Sequence, residues 1–113
     1  MTTYSKLVPS GSSAGKPVSI VNTASVGTLF HTAHATALDE IWMWVSNVDT
    51  VDRVATVEMG DATAGHNIVL TVPAGDTVLV IPGIPLTGSN VCTVFTGSSN
   101  GNCHMFGYIN RIT

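Results

Sequence analysis

Punctuation is the feature that most narrows what this chain can fold into. From Val18 onward, short β-branched and apolar runs are cut every few residues by Gly, Pro and Asn, and no stretch keeps a helical period. Fifteen Val and fifteen Thr reinforce the pattern, because branching at Cβ suits the pleated surface of a sheet and disfavours helix. The runs Val18–Thr23, Val26–His31, Ile41–Val48, Arg53–Met59, His66–Val72, Thr77–Ile81, Asn90–Thr96 and Asn102–Ile109 read as about eight strands. His31 to Leu38 reads as a loop or a helical turn. Pro82-Gly83-Ile84-Pro85-Leu86 must be an edge or a connection, since proline cannot donate to a central ladder. The expected fold is all-β, an antiparallel β-sandwich of jelly-roll-like form. Residues 1–17, polar and small through Ser10-Gly-Ser-Ser-Ala-Gly15, are expected to be a flexible arm ahead of a sandwich domain over 18–113.

Alternation along the strands separates core from surface. In Arg53–Met59 the residues Ala55, Val57 and Met59 share one face, expected to be the core, and Val54, Thr56 and Glu58 share the other. Ile41-Trp42-Met43-Trp44-Val45 does not alternate, because both of its faces are apolar. One must pack the core and the other must meet further protein, so all five are candidate interface residues. If Trp42 and Trp44 face the core, as a pair stacking against Phe106 or Tyr108, Ile41, Met43 and Val45 form the contact stripe. If not, the two indoles do, and sequence does not choose. The strand around Val91 to Thr96 is also apolar on both sides.

Charge points the same way. Lys and Arg number four and Asp and Glu seven, 10% of the chain, against about 25% in a typical soluble domain. None lies between Lys16 and Asp39 or between Asp76 and Arg111. A net charge of −3 argues against a basic nucleic-acid binder. No apolar run is long enough for a membrane helix, and the N-terminus lacks the apolar region of a signal peptide. The neutral reaches are expected to include surfaces covered by other protein, and the charged residues to mark exposed turn ends.

Chemistry is poorly represented. His31 and His34 are three apart, but only this pair has a fixed spacing, and His66 and His104 read as loop or interface residues. Asp39, Glu40, Asp49, Asp52 and Asp61 lack a calcium-loop pattern and read as turn and edge residues. Gly11-Ser-Ser-Ala-Gly15-Lys16 falls one residue short of a phosphate loop and has Pro17 where Ser or Thr should stand. Cys92 and Cys103 read as buried free thiols in preference to a disulfide. No catalytic, cofactor or metal residues are expected, and the chain is not expected to be an enzyme. Trp42 and Trp44 leave one other option, a carbohydrate-binding surface.

The run from Ile41-Trp-Met-Trp-Val-Ser-Asn-Val48, through His66-Asn-Ile-Val-Leu70, Val72-Pro-Ala-Gly-Asp-Thr77 and Pro85-Leu-Thr87, to Phe106-Gly-Tyr-Ile109 resembles small β-sandwich virion proteins of tailed bacteriophages. In these a strand ending in SN or CN, an AGDT turn and a closing V-x-G-Y-I strand recur. The resemblance covers residues from about 38 to 111. It implies a structural part of the virion, assembled in the host cytoplasm. A capsid decoration or cement protein is expected first and a neck or adaptor component second. The implied partners are further copies, as a trimer or dimer, and the phage major capsid protein. It brings no catalytic residues.

Overall fold

The computed structural model describes residues 2–113 and contains nine strands: β1 Tyr4–Leu7, β2 Val18–Ser19, β3 Thr28–Thr32, β4 Leu38–Asn47, β5 Arg53–Met59, β6 Ile68–Val72, β7 Thr77–Leu86, β8 Val91–Thr96 and β9 Cys103–Ile112. They form two antiparallel sheets. Sheet A runs β1-β9-β4-β7, with β2 also on β9, and sheet B runs β3-β8-β5-β6. β2 pairs with β9, β3 with β8, β4 with β7 and β5 with β6. First meets last and the partners close inward, so the chain is one long hairpin wrapped around itself, which is the jelly-roll path. Eight strand positions result because β1 and β2 share one. β1 pairs with Ile109–Ile112 and β2 with His104–Met105, both on the free side of β9, as an edge strand interrupted by residues 8–17.

The segment expected to be an arm is therefore partly built into the sandwich, apart from Met1, which lies outside the described residues. Tyr4–Leu7 completes sheet A, and the excursion that follows crosses to sheet B. There the Gly11 N–H donates to the Phe30 carbonyl at 2.9 Å and Ser10 Oγ accepts from the Thr32 N–H at 2.7 Å. These bonds cover the free edge of β3, which would otherwise be open to pairing. The accessible surface, 5566 Å², sits slightly below the roughly 5,900 Å² expected of a compact chain this size, as a folded-down N-terminus requires. Polarity concealed β1: Tyr-Ser-Lys-Leu shows little of the hydrophobicity by which strands are read.

The core lies between the sheets. Ile41, Met43, Val45, Met105 and Ile109 from sheet A meet Phe30, Ala55, Val57, Cys92 and Val94 from sheet B, all 0% or 1% exposed. Core-facing positions on β5 follow the expected alternation, although Met59 is only half-buried. Pro82 and Pro85 lie on β7, an edge strand, where a missing N–H costs no ladder bond.

The residues behind the resemblance turn out to contact one another. The Asn47 amide donates to the carbonyls of Val51 and Val72 at 2.9 and 3.0 Å, and its backbone exchanges bonds with Gly75 and Asp76. Gly75 itself stands at φ +73°, which the Pro73–Asp76 turn needs and which glycine adopts without steric cost. The SN end of β4 and the AGD turn thus lock together and join the two sheets.

Candidate functional site: an aromatic face on sheet A

The face of sheet A turned away from the core is ordered in cross-strand rows. Lys6, Asn110 and Glu40 form one row, Tyr108 and Trp42 the next, Phe106 and Trp44 a third, and Ser19, His104 and Ser46 a fourth. Ile41, Met43 and Val45 are 0% exposed in the core, so those three candidate interface residues are corrected to core residues. Trp42 and Trp44 are half-buried and point outward, so the stripe left open by the sequence is theirs.

The four rings form a continuous plate. Trp42 stacks on Tyr108 with centroids 5.9 Å apart and Trp44 on Phe106 at 6.1 Å, both nearly parallel. Trp44 and Tyr108 close the diagonal at 6.4 Å. Each contact lies within the range where aromatic pairs contribute beyond simple burial. Lys6 places its ammonium 4.8 Å from the Tyr108 centroid. Two glycines make room for the plate. A Cβ on Gly107 would run into the Trp42 carbonyl, so β9 can lie close to β4 only without a side chain there. Gly83, at φ +74° in a bulge of β7, lies under the Trp42 indole, and a Cβ would stand 2.6 Å from Trp42 Cζ2. Leu79, 43% exposed, extends the apolar surface along β7.

The other candidates for chemistry resolve into structural roles. His31 is 2% exposed and Asp39 is fully buried. His31 Nδ1 accepts the Ser10 backbone N–H at 3.0 Å, so the ring proton is on Nε2 and is donated to Asp39 at 2.7 Å. Arg111 adds two bonds to the same carboxylate at 2.8 and 2.9 Å, and the His34 N–H a further one at 3.1 Å. Burial alone would raise the pKa of Asp39, but the hydrogen bonds from Arg111, His31 and His34 and the charge of Arg111 outweigh it. The carboxyl is held well below its usual range. Ser, His and Asp thus meet here without a nucleophile, because Ser10 Oγ is bonded to Thr32 and not to the imidazole.

Glu58 is a second buried carboxylate, 2% exposed, although it points away from the core. The loop before β3 covers it, through Ser25 Oγ and the Gly27 N–H, and Thr93 Oγ1 reaches it along the sheet at 2.8 Å. Burial pushes its pKa up and these three donors pull it down further, leaving it lowered. Asp39 and Glu58 correct the expectation that charged residues mark exposed turn ends. Asp49, Asp52, Asp61 and Asp76 do lie in the connections between strands.

His34 caps its own loop by accepting from the Thr36 and Ala37 N–H groups, and His66 pairs with Asp61 in the open. Cys92 and Cys103 are free, buried and in different sheets, and burial pushes the Cys92 thiol up to about 12. Such a thiol is inert as a nucleophile. Among the described residues there is no pocket and no group of three or more His, Cys, Asp or Glu placed to hold a metal.

The chain matches no family model, no curated protein and no solved structure.

The site therefore rests on its own geometry. Sequence placed Trp42 and Trp44 in the right strand and offered Phe106 or Tyr108 as stacking partners, but for a pair in the core, whereas the stacks lie on the outer face. The available signal was the i, i+2 spacing of Phe106 and Tyr108, which matches that of Trp42 and Trp44. A flat plate of four rings has no cleft in which to enclose a substrate. It can cover, or be covered by, another extended surface.

Proposed function

We propose that this chain is a structural virion protein of a tailed bacteriophage, a decoration or cement protein that stabilises the head shell through oligomeric contacts. The observation that carries the proposal is the Trp42–Tyr108–Trp44–Phe106 plate, a contact surface of the residue types that dominate interface energetics, set on a rigid sheet with few charges. Jelly-roll wrapping adds support by fold-level analogy, since viral capsid domains use the same path. A shell repeats one binding site many times, so modest contacts summed over copies stabilise it.

The test is stoichiometry in purified particles. In phage particles from a culture producing this chain, it should co-sediment with the major capsid protein at a fixed ratio near that of the shell subunits. The combined substitution Trp42→Ala and Trp44→Ala should reduce incorporation at least tenfold. A count of about one small ring per particle would transfer the chain to the neck or adaptor. Absence from particles would sink the structural reading.

One observation favours a second reading. Both indoles face solvent, as a carbohydrate-binding module requires, and lectin domains share the jelly-roll path. Retardation in gels cast with polysaccharide, abolished by the same double substitution, would establish that reading instead.

A further inference from the structure

Resting on the reading of the plate as a contact surface, we propose that its occupant is a second copy of the chain, in a two-fold homodimer whose axis runs along β9.

Size selects the face. β4, β7 and β9 are each ten residues long, so the outer face of sheet A measures about 33 by 19 Å at ordinary strand rise and spacing. A pair of such faces covers roughly 1,200 Å², the lower end of the range for specific interfaces. The strands of sheet B are five to seven residues long. Its outer face gives only about 800 Å² per pair, the size of a crystal contact.

Charge selects the partner and the axis. Among the described residues, Lys6 and Glu40 are the charged side chains in the rows of this face, and they flank Asn110 of β9 on opposite sides. Asn110 Nδ2 holds Glu40 at 2.8 Å, so the acid is fixed in place. A rotation of 180° about β9 exchanges the two flanks. It sets Lys6 of each copy over Glu40 of the other, and sheets packed about 10 Å apart leave a gap that these two side chains can span. The alternative in-plane axis, across the strands, sets Lys6 against Ser19 and Glu40 against Ser46 of the other copy, in the row of His104, and pairs neither charge with its opposite. Only the axis along β9 makes the face complementary to itself, as an isologous contact must be.

Shape agrees with the same axis. Tyr108 and Phe106 lie on β9 and meet their own symmetry mates. Trp42 and Trp44 lie to one side and swing over the strip beside residues 106–108 of the other copy. That strip carries no paired strand, because β1 stops at Ile109 and β2 at Met105.

Sedimentation equilibrium on the full chain tests this. The wild type should be a dimer, and Lys6→Glu or Glu40→Lys alone should weaken it about tenfold, because each puts like charges together at two symmetry-related places. The double reversal should restore the wild-type constant. Circular dichroism and thermal midpoint serve as folding controls. A monomer at every concentration, a dimer indifferent to single reversals, or a double reversal that fails to restore would each overturn the dimer. Particle incorporation separates the two proposals. If the double tryptophan variant is still lost from particles while the wild type is monomeric, the plate contacts the shell directly and only the dimer falls. If that variant is incorporated normally, the contact-surface reading falls too.

Discussion

Gly107 and Gly75 differ in why they must be glycine, and the difference can be measured. Gly75 stands at φ +73° with open space around it, so alanine there costs only the backbone conformation, about 1 kcal/mol. At Gly107 a methyl group meets the Trp42 carbonyl, and β9 cannot retreat without releasing β4. Gly107→Ala should cost about 3 kcal/mol or more by urea denaturation. Equal losses at the two sites would mean that β9 is free to shift. The buried carboxylates set a second expectation. Asp39 and Glu58 have lowered pKa values in the fold, so their stabilisation is complete above the unfolded values of about 4 and is lost as pH falls toward the folded ones. Urea stability should be flat from pH 7 to about 5 and then decline. Asp39→Asn should lower stability at pH 7 by about 3 kcal/mol, because Arg111 loses its partner, and should flatten part of the acid decline. Neither carboxylate could be read as buried from sequence. Arg111 lies 72 residues from Asp39 and Thr93 lies 35 from Glu58, and without such partners a charge belongs in water.

Element by element, most strands were legible because alternation and turn residues are local. β5 matched residue for residue, and Pro82 to Leu86, expected to be an edge or a connection, continues the strand expected to end at Ile81 as the second half of the edge strand β7. The N-terminal edge strand was not legible, since β1 is held by backbone bonds to β9, more than 100 residues away, and not by an apolar face of its own. The expected first strand, Val18–Thr23, shortens to Val18–Ser19, and Ile20 continues into the core as a buried loop residue. Removing residues 2–7 should raise amide exchange over Ile109–Ile112, which pairs with β1. The neighbouring His104–Met105, which pairs with β2, should keep its protection. Unchanged exchange at Ile109–Ile112 would show that β1 is not docked in solution. The choice between the two faces of β4 was invisible for a related reason. Apolar residues occupy both faces, and the pairing of Trp42 and Trp44 with Tyr108 and Phe106 depends on the register with β9.

At the scale of the molecule, the low charge count has a structural counterpart. Among the described residues, the charged side chains in the rows of sheet A's outer face are Lys6 and Glu40, and on the outer side of sheet B the acid Glu58 is covered by the loop before β3. Both broad faces are thus nearly free of solvated charge, and Asp49, Asp52, Asp61 and Asp76 sit in the connections. A sandwich arranged this way has two surfaces suited to other protein, with the larger and more aromatic one on sheet A. Trp42 and Trp44 are the chain's only tryptophans, so its indole fluorescence reports on that surface alone. Acrylamide quenching of this emission, compared between the free chain diluted to the monomer and the chain in purified particles, shows whether a partner covers the plate. A plate that serves as a contact surface should be quenched readily in the monomer and strongly protected once assembled; equal quenching in both states would mean that nothing covers it.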